Sequence, residues 1–151
     1  MRFAIVLGVA IAATSSPAVA GDWRIVSVGD ELIVGMDADS LSRSIDRATG
    51  WTVSILKPSV VGPENPVAYI IRRNEFECSQ ERFRYLTTIY YSLEGERLAS
   101  EDLVSDWEYA VPDTINGAMV AAACEGFPFD DGTETALDFA IAAHMAFASE
   151  E

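Results

Sequence analysis

The chain has 151 residues, half of them hydrophobic, with 24 acidic and 10 basic residues and a formal net charge of −14. That length supports one domain with a substantial core, and the apolar content excludes an intrinsically disordered chain. The acidic balance repels nucleic acid and anionic membrane surfaces, though it names no partner by itself.

Residues 1–20 read as a secretory signal. Arg2 supplies the positive end, Phe3 to Ala13 the apolar run, and Ala18-Val19-Ala20 the small-x-small cleavage site. The run stops at Thr14-Ser15-Ser16-Pro17, short of the roughly 20 residues that span a bilayer. Cleavage is expected before Gly21, and no cysteine follows the run to accept a lipid. The expected product is a soluble chain without a membrane span, in the periplasm or outside the cell.

Trp23 to Val28 and Leu32 to Met36 read as strands joined through Gly29-Asp30-Glu31. Two aspartates two apart follow, in Asp37-Ala38-Asp39-Ser40, a spacing that also starts a calcium loop. Leu41 and Arg43 stand where such a loop needs further oxygen ligands, so strand-end turn chemistry is expected, with no metal and no cofactor. Ser42 to Gly50 is polar, and Trp51 to Lys57 reads as a third strand with Trp51, Val53 and Ile55 on one face. Pro58, Gly62, Pro63 and Pro66 cannot continue a ladder and make an irregular connection, read as a spacer.

Val67 to Tyr91 has the pattern of a long hairpin. With Gln80-Glu81 as its turn, Cys78 faces Phe83, Phe76 faces Tyr85, Arg72 faces Ile89, Ile70 faces Tyr91, and Glu77 forms a charge pair with Arg84. One face then carries Phe76, Phe83, Tyr85, Ile89 and Tyr91 with Cys78, as core or as the wall of a pocket. Glu75, Glu77 and Arg84 lie on the wet face. Leu93 to Glu96 turns the chain into Arg97 to Leu103, and Trp107 to Val111 forms a last edge segment before Pro112. The sum is about six antiparallel strands in meander order.

After Pro112 the pattern turns helical. Asp113-Thr114 can cap a helix over Ile115 to Cys124, stopped at Gly126. Gly117, Val120 and Ala121 lie around the direction of Cys124, with Ile115, Met119 and Ala122 opposite, so the helix is apolar nearly all round, as expected of one covered on two sides. Asp131 to Glu134 resembles a capping box, and Thr135 to Ala148 reads as a second helix with Leu137, Ile141 and His144 at helical spacing. It is expected to pack on the first helix or across a homodimer. Two cysteines in an exported chain predict a Cys78–Cys124 disulfide, tying the first helix to the sheet. A reactive thiol beside His144 is the weaker reading, since no CxxC spacing exists.

Taken in order, several features resemble the surface-adhesin protein E family of small exported bacterial proteins. They are Trp23, Asp37-Ala38-Asp39-Ser40-Leu41 with Arg43, the strand led by Trp51, the block from Asn74 to Arg84, Tyr90-Tyr91 before a glycine turn, Trp107, Val111-Pro112 and the helix ending in Cys124. The resemblance runs from about Trp23 to Cys124. It divides the chain into a signal peptide at 1–20, a sheet-plus-helix domain at 21–126 and a helical extension at 127–151. It implies an α+β fold, an antiparallel sheet with a helix tethered by one disulfide, and adhesion to host matrix and serum proteins.

The expected function is therefore an exported module whose partner is another protein, with no catalytic chemistry. A carrier that holds an apolar small molecule between sheet and helices is the alternative, resting on the aromatic hairpin face. An enzyme would need His144 in a catalytic arrangement, but no GxSxG elbow is present. Glu75 and Glu77, a glycosidase-like pair by spacing, read as ordinary strand surface.

Overall fold

A computed structural model describes residues 21–58, 62, 65–128 and 131–149. The expected signal peptide and Pro63 lie outside the described residues. The centre of the fold is one antiparallel sheet of nine strands. These are β1 (Trp23–Val28), β2 (Leu32–Asp37), β3 (Ser42–Arg43), β4 (Arg47–Leu56), β5 (Tyr69–Glu77), β6 (Arg82–Tyr91), β7 (Arg97–Glu101), β8 (Glu108–Tyr109) and β9 (Gly132–Thr133). The spatial order is β7-β6-β5-β4-β2-β1-β9, with β3 on β4 and β8 on β6. Strand β8 falls within the expected edge segment Trp107 to Val111, and the expected meander of about six strands is extended by β3 and β9, each two residues long and too short to show alternation. Strand β4 begins at Arg47, four residues before Trp51, because Ala48 is buried in a stretch that reads as polar.

The hairpin register differs from the expected one. Its turn is a 3-10 turn over Cys78–Gln80, closed by Glu81 in the left-handed region at φ 50°. Cys78 therefore leaves the ladder, and its N–H donates to Asp46 O at 2.9 Å. Phe76 pairs with Phe83, Glu75 with Arg84 and Glu77 with Arg82. Farther from the turn, an irregularity after Arg73/Asn74 leaves Leu86 as an extra residue. Because side chains alternate, one extra residue moves everything beyond it to the other face. Phe76, Phe83 and Tyr85 stay together, whereas Ile89 and Tyr91 lie on the opposite face, where Tyr91 stacks on Tyr69 with ring centroids 5.0 Å apart.

Both faces of the sheet are core. Helix α1 (Ile115–Cys124) packs Met119, Val120, Ala122 and Ala123 against Val34, Met36, Ala48, Phe76 and Phe83. Helix α2 (Ala136–Ala148) packs Phe139, Ala140, Ala143 and Phe147 against Trp23, Ile33, Val53, Ile55 and Tyr69 on the other side. The tail helix thus does not lie on α1; the sheet separates them. Its buried stripe is not the Leu137, Ile141, His144 series either, since Ile141 and Met145 are exposed. At Gly35 an added Cβ would stand 2.6 Å from the Phe139 ring, so the bare backbone is what lets that ring lie against β2.

The capping residues also explain where the helices start. Thr114 accepts from Gly117 N at the head of α1. Thr135, rather than Asp131, caps α2, accepting from Asp138 N and donating to Asp138 Oδ2. Residues 132 and 133 are instead drawn into β9, opposite Arg24 and Trp23. Gly117 faces the connection before α1, where a Cβ would meet Val111 O at 2.5 Å, and not the sheet.

Candidate functional site

Helix α2 covers only part of its face of the sheet. Toward the hairpin turn, that face carries Arg47, Glu75, Glu77, Arg82 and Arg84, which the cross-strand register places side by side. Arg47 bridges both acids, reaching Glu75 Oε1 at 2.7 Å and Glu77 Oε1 at 3.3 Å. Arg84 donates to Glu75 Oε2 through Nε at 2.8 Å and Nη2 at 2.6 Å, and Arg82 pairs with Glu77 Oε2. Trp107 lies against all three cations, its ring centroid 4.6 Å from the Arg84 guanidinium carbon, 4.9 Å from that of Arg82 and 5.6 Å from that of Arg47. The pairing of β8 with Arg82 and Phe83 holds Trp107 there.

The electrostatics follow from this packing. Burial works against ionisation of Glu75, but hydrogen bonds and charge from Arg84 and Arg47 prevail, and its pKa lies below the ordinary carboxylate value. Its hydrogen bond in turn raises the pKa of Arg47. Glu75 and Glu77 keep only 15% and 11% side-chain exposure and each accepts from two arginines, so they are fixed partners in a salt-bridge network. Arg73, exposed, extends the same face opposite Trp51 and Thr87. An indole bracketed by guanidiniums whose rotamers are already fixed loses little side-chain freedom on contact with a partner.

A second group of contacts fixes α1. The Cys78–Cys124 disulfide joins the hairpin turn to the helix end across a Cα separation of 5.7 Å. Arg43 on β3 donates to the carbonyls of Ala123 at 2.6 Å and Ala122 at 3.0 Å, placing a cation at the negative end of the helix. No signal in the polar Ser42–Gly50 stretch marks Arg43 and Arg47 as partners of distant elements. Trp107 is legible as an edge-segment residue and as part of the family resemblance, but not as a partner of Arg47, Arg82 and Arg84.

The remaining residues singled out by sequence lie apart. Phe76 and Phe83 are fully buried in the core under α1, and Tyr85 lines a cavity of about 80 Å³. His144 is half-buried on α2, across the sheet from α1 and its Cys124, and its Nε2 has no hydrogen-bond partner among the described residues. Asp37 Oδ1 accepts from Asp22 N at 3.0 Å and Asp39 N at 3.2 Å, which is turn chemistry. Among the described residues no group of three or more His, Cys, Asp or Glu is placed to hold a metal.

A family model described as "Surface-adhesin protein E" matches residues 23–125. A solved structure of Haemophilus influenzae protein E, crystal form II, is 16% identical, with a TM-score of 0.49, covering 78% of this chain and 100% of its own. A second, of protein E from non-typeable Haemophilus influenzae, is also 16% identical, with a TM-score of 0.40, covering 96% of this chain and 97% of its own. No curated protein sequence matches.

Proposed function

The chain belongs to the surface-adhesin protein E family, and from that premise we propose that it is an exported module that binds another protein through the Trp107 surface. The observation that carries this reading is Trp107 lying against the guanidiniums of Arg47, Arg82 and Arg84 on a sheet face that α2 leaves open. Tryptophan and arginine are the side chains that dominate protein interfaces energetically, because both bury a large flat surface while keeping polar edges. Four arginines, counting Arg73, stand there against Glu75, Glu77 and Asp46, whose charge also acts on Arg47, in a molecule of net charge −14.

Export rests on the leader pattern at residues 1–20 and on the family. Among the described residues no helix is long and apolar enough to cross a membrane. The mature chain begins at Gly21 in this reading, and the tail helix serves as the second layer of the domain.

The test is binding to a panel of purified extracellular-matrix and serum proteins by biolayer interferometry, using disulfide-bonded protein exported by a bacterial host. Saturable binding that is lost in Trp107→Ala, with thermal unfolding still cooperative, is the expected result. Binding unchanged by that substitution would remove the surface from the account, and an exported mass beginning at Met1 would remove the cleaved leader.

A further inference from the structure

On the opposite face of the sheet, under the first turn of α1, a cavity of about 80 Å³ is lined by Thr52, Ser54, Arg72, Tyr85, Ile115 and Asn116, among others. Arg72 lies with its guanidinium carbon 4.9 Å above the Tyr85 ring. Among the described residues no hydrogen bond or ion pair reaches that guanidinium, the Tyr85 hydroxyl, the Ser54 hydroxyl or the Asn116 amide. Arg24, Arg47, Arg82 and Arg84 each hold a carboxylate. Arg72 stands on the core face of a central strand without one.

We propose that this cavity binds a single carboxylate group, with Arg72 as its cation and Ser54, Tyr85 and Asn116 as neutral donors. Arg72 is half-buried with no carboxylate beside it among the described residues, and a planar guanidinium matches a carboxylate fork. The cavity wall contains no Asp or Glu, so it suits an anion and not a metal. Its volume equals that of about two or three waters, enough for one carboxylate but not for a larger apolar ligand. Thr52 is already committed, accepting from Asn74 Nδ2 at 2.8 Å, which fixes the floor of the site. Tyr85 is available as a donor because burial keeps its phenol protonated, with Arg72 and Glu108 acting in opposite directions on it. This site lies on the other face from the Trp107 surface and stands or falls independently of it.

The experiment is a 1H–15N NMR titration of the disulfide-bonded chain with sodium acetate, against sodium chloride at equal ionic strength, followed by N-acetyl-glutamate N-methylamide. Saturable shifts of the Ser54, Arg72, Tyr85 and Asn116 signals are expected, with affinity weakened about tenfold or more in Arg72→Gln, the loss of one charge-assisted bond. Binding of acetate would identify a site for free small acids, and binding of the glutamate derivative alone one for an acidic side chain of a partner. Asn116→Ala, a change on the helix surface, gives a second reading if Arg72→Gln does not fold. The proposal is overturned if neither probe saturates, if chloride produces the same shifts, or if the folded variants bind as well as the parent chain.

Discussion

Arg43 and Ala123 are 80 residues apart in sequence, yet Arg43 Nε donates to the Ala123 carbonyl at 2.6 Å and brings a short edge strand against the end of α1. The last carbonyls of a helix have no partner within it, and a cation there also meets the negative end of the helix dipole. Arg43→Met keeps the length and removes both effects. It should lower stability by about 1–2 kcal/mol, measured as a shift of the urea midpoint at unchanged slope.

The disulfide does the same work covalently at the same helix end. Its two cysteines are 46 residues apart, and in the chain-entropy model a loop of that size stabilises by about 4 kcal/mol. The double variant Cys78→Ala/Cys124→Ala should show a loss of that order in urea unfolding. Combined with Arg43→Met, the total should differ from the sum of the parts, because both restraints act on one helix terminus.

Glu75 links charge to pH. Its folded pKa is depressed relative to the ordinary value of 4.5, so the unfolded chain binds more protons at acid pH. The stability it contributes is fully present above pH 4.5 and is lost as pH falls through the folded value. Glu75→Gln should flatten that part of the stability–pH curve, followed by urea unfolding at a series of pH values. A variant curve with the parent's slope below pH 4.5 would contradict the assignment.

Gly35 is a packing test for the second layer. A Cβ there would sit 2.6 Å from the Phe139 ring, in a core where nothing is loose. Gly35→Ala should cost about 1–3 kcal/mol as overpacking, and Gly35→Ala with Phe139→Leu should recover part of it. Thermal unfolding of the three variants distinguishes this from a simple backbone effect.

The parts of the fold legible in the sequence were those with repeated or paired signals. Alternation marked β1, β2 and the hairpin strands, and the two cysteines had only each other. The cap of α1 was readable from Thr114, whereas at α2 the expected capping box at Asp131 gave way to Thr135, because residues 132–133 pair with β1. The hairpin register failed for a physical reason: a turn that removes Cys78 from the ladder and an extra residue at Leu86 are both cheap locally and invisible to periodicity. Trp107 and Arg47 were not legible as a site because the pairings that bring them onto the hairpin, β4 on β5 and β8 on β6, join segments far apart in sequence.

In the proposed function the molecule binds its partner through Trp107. The most direct measurement is the dissociation constant of a binding partner for the parent chain, for Trp107→Ala and for Ile141→Ser, an exposed change on α2 away from the arginines. Truncating a central interface tryptophan costs about 2 kcal/mol or more, so Trp107→Ala should weaken binding by about thirtyfold. Ile141→Ser should leave it unchanged. Equal affinity in Trp107→Ala and the parent, or a loss confined to Ile141→Ser, would contradict the account and move the interface to the outer side of α2.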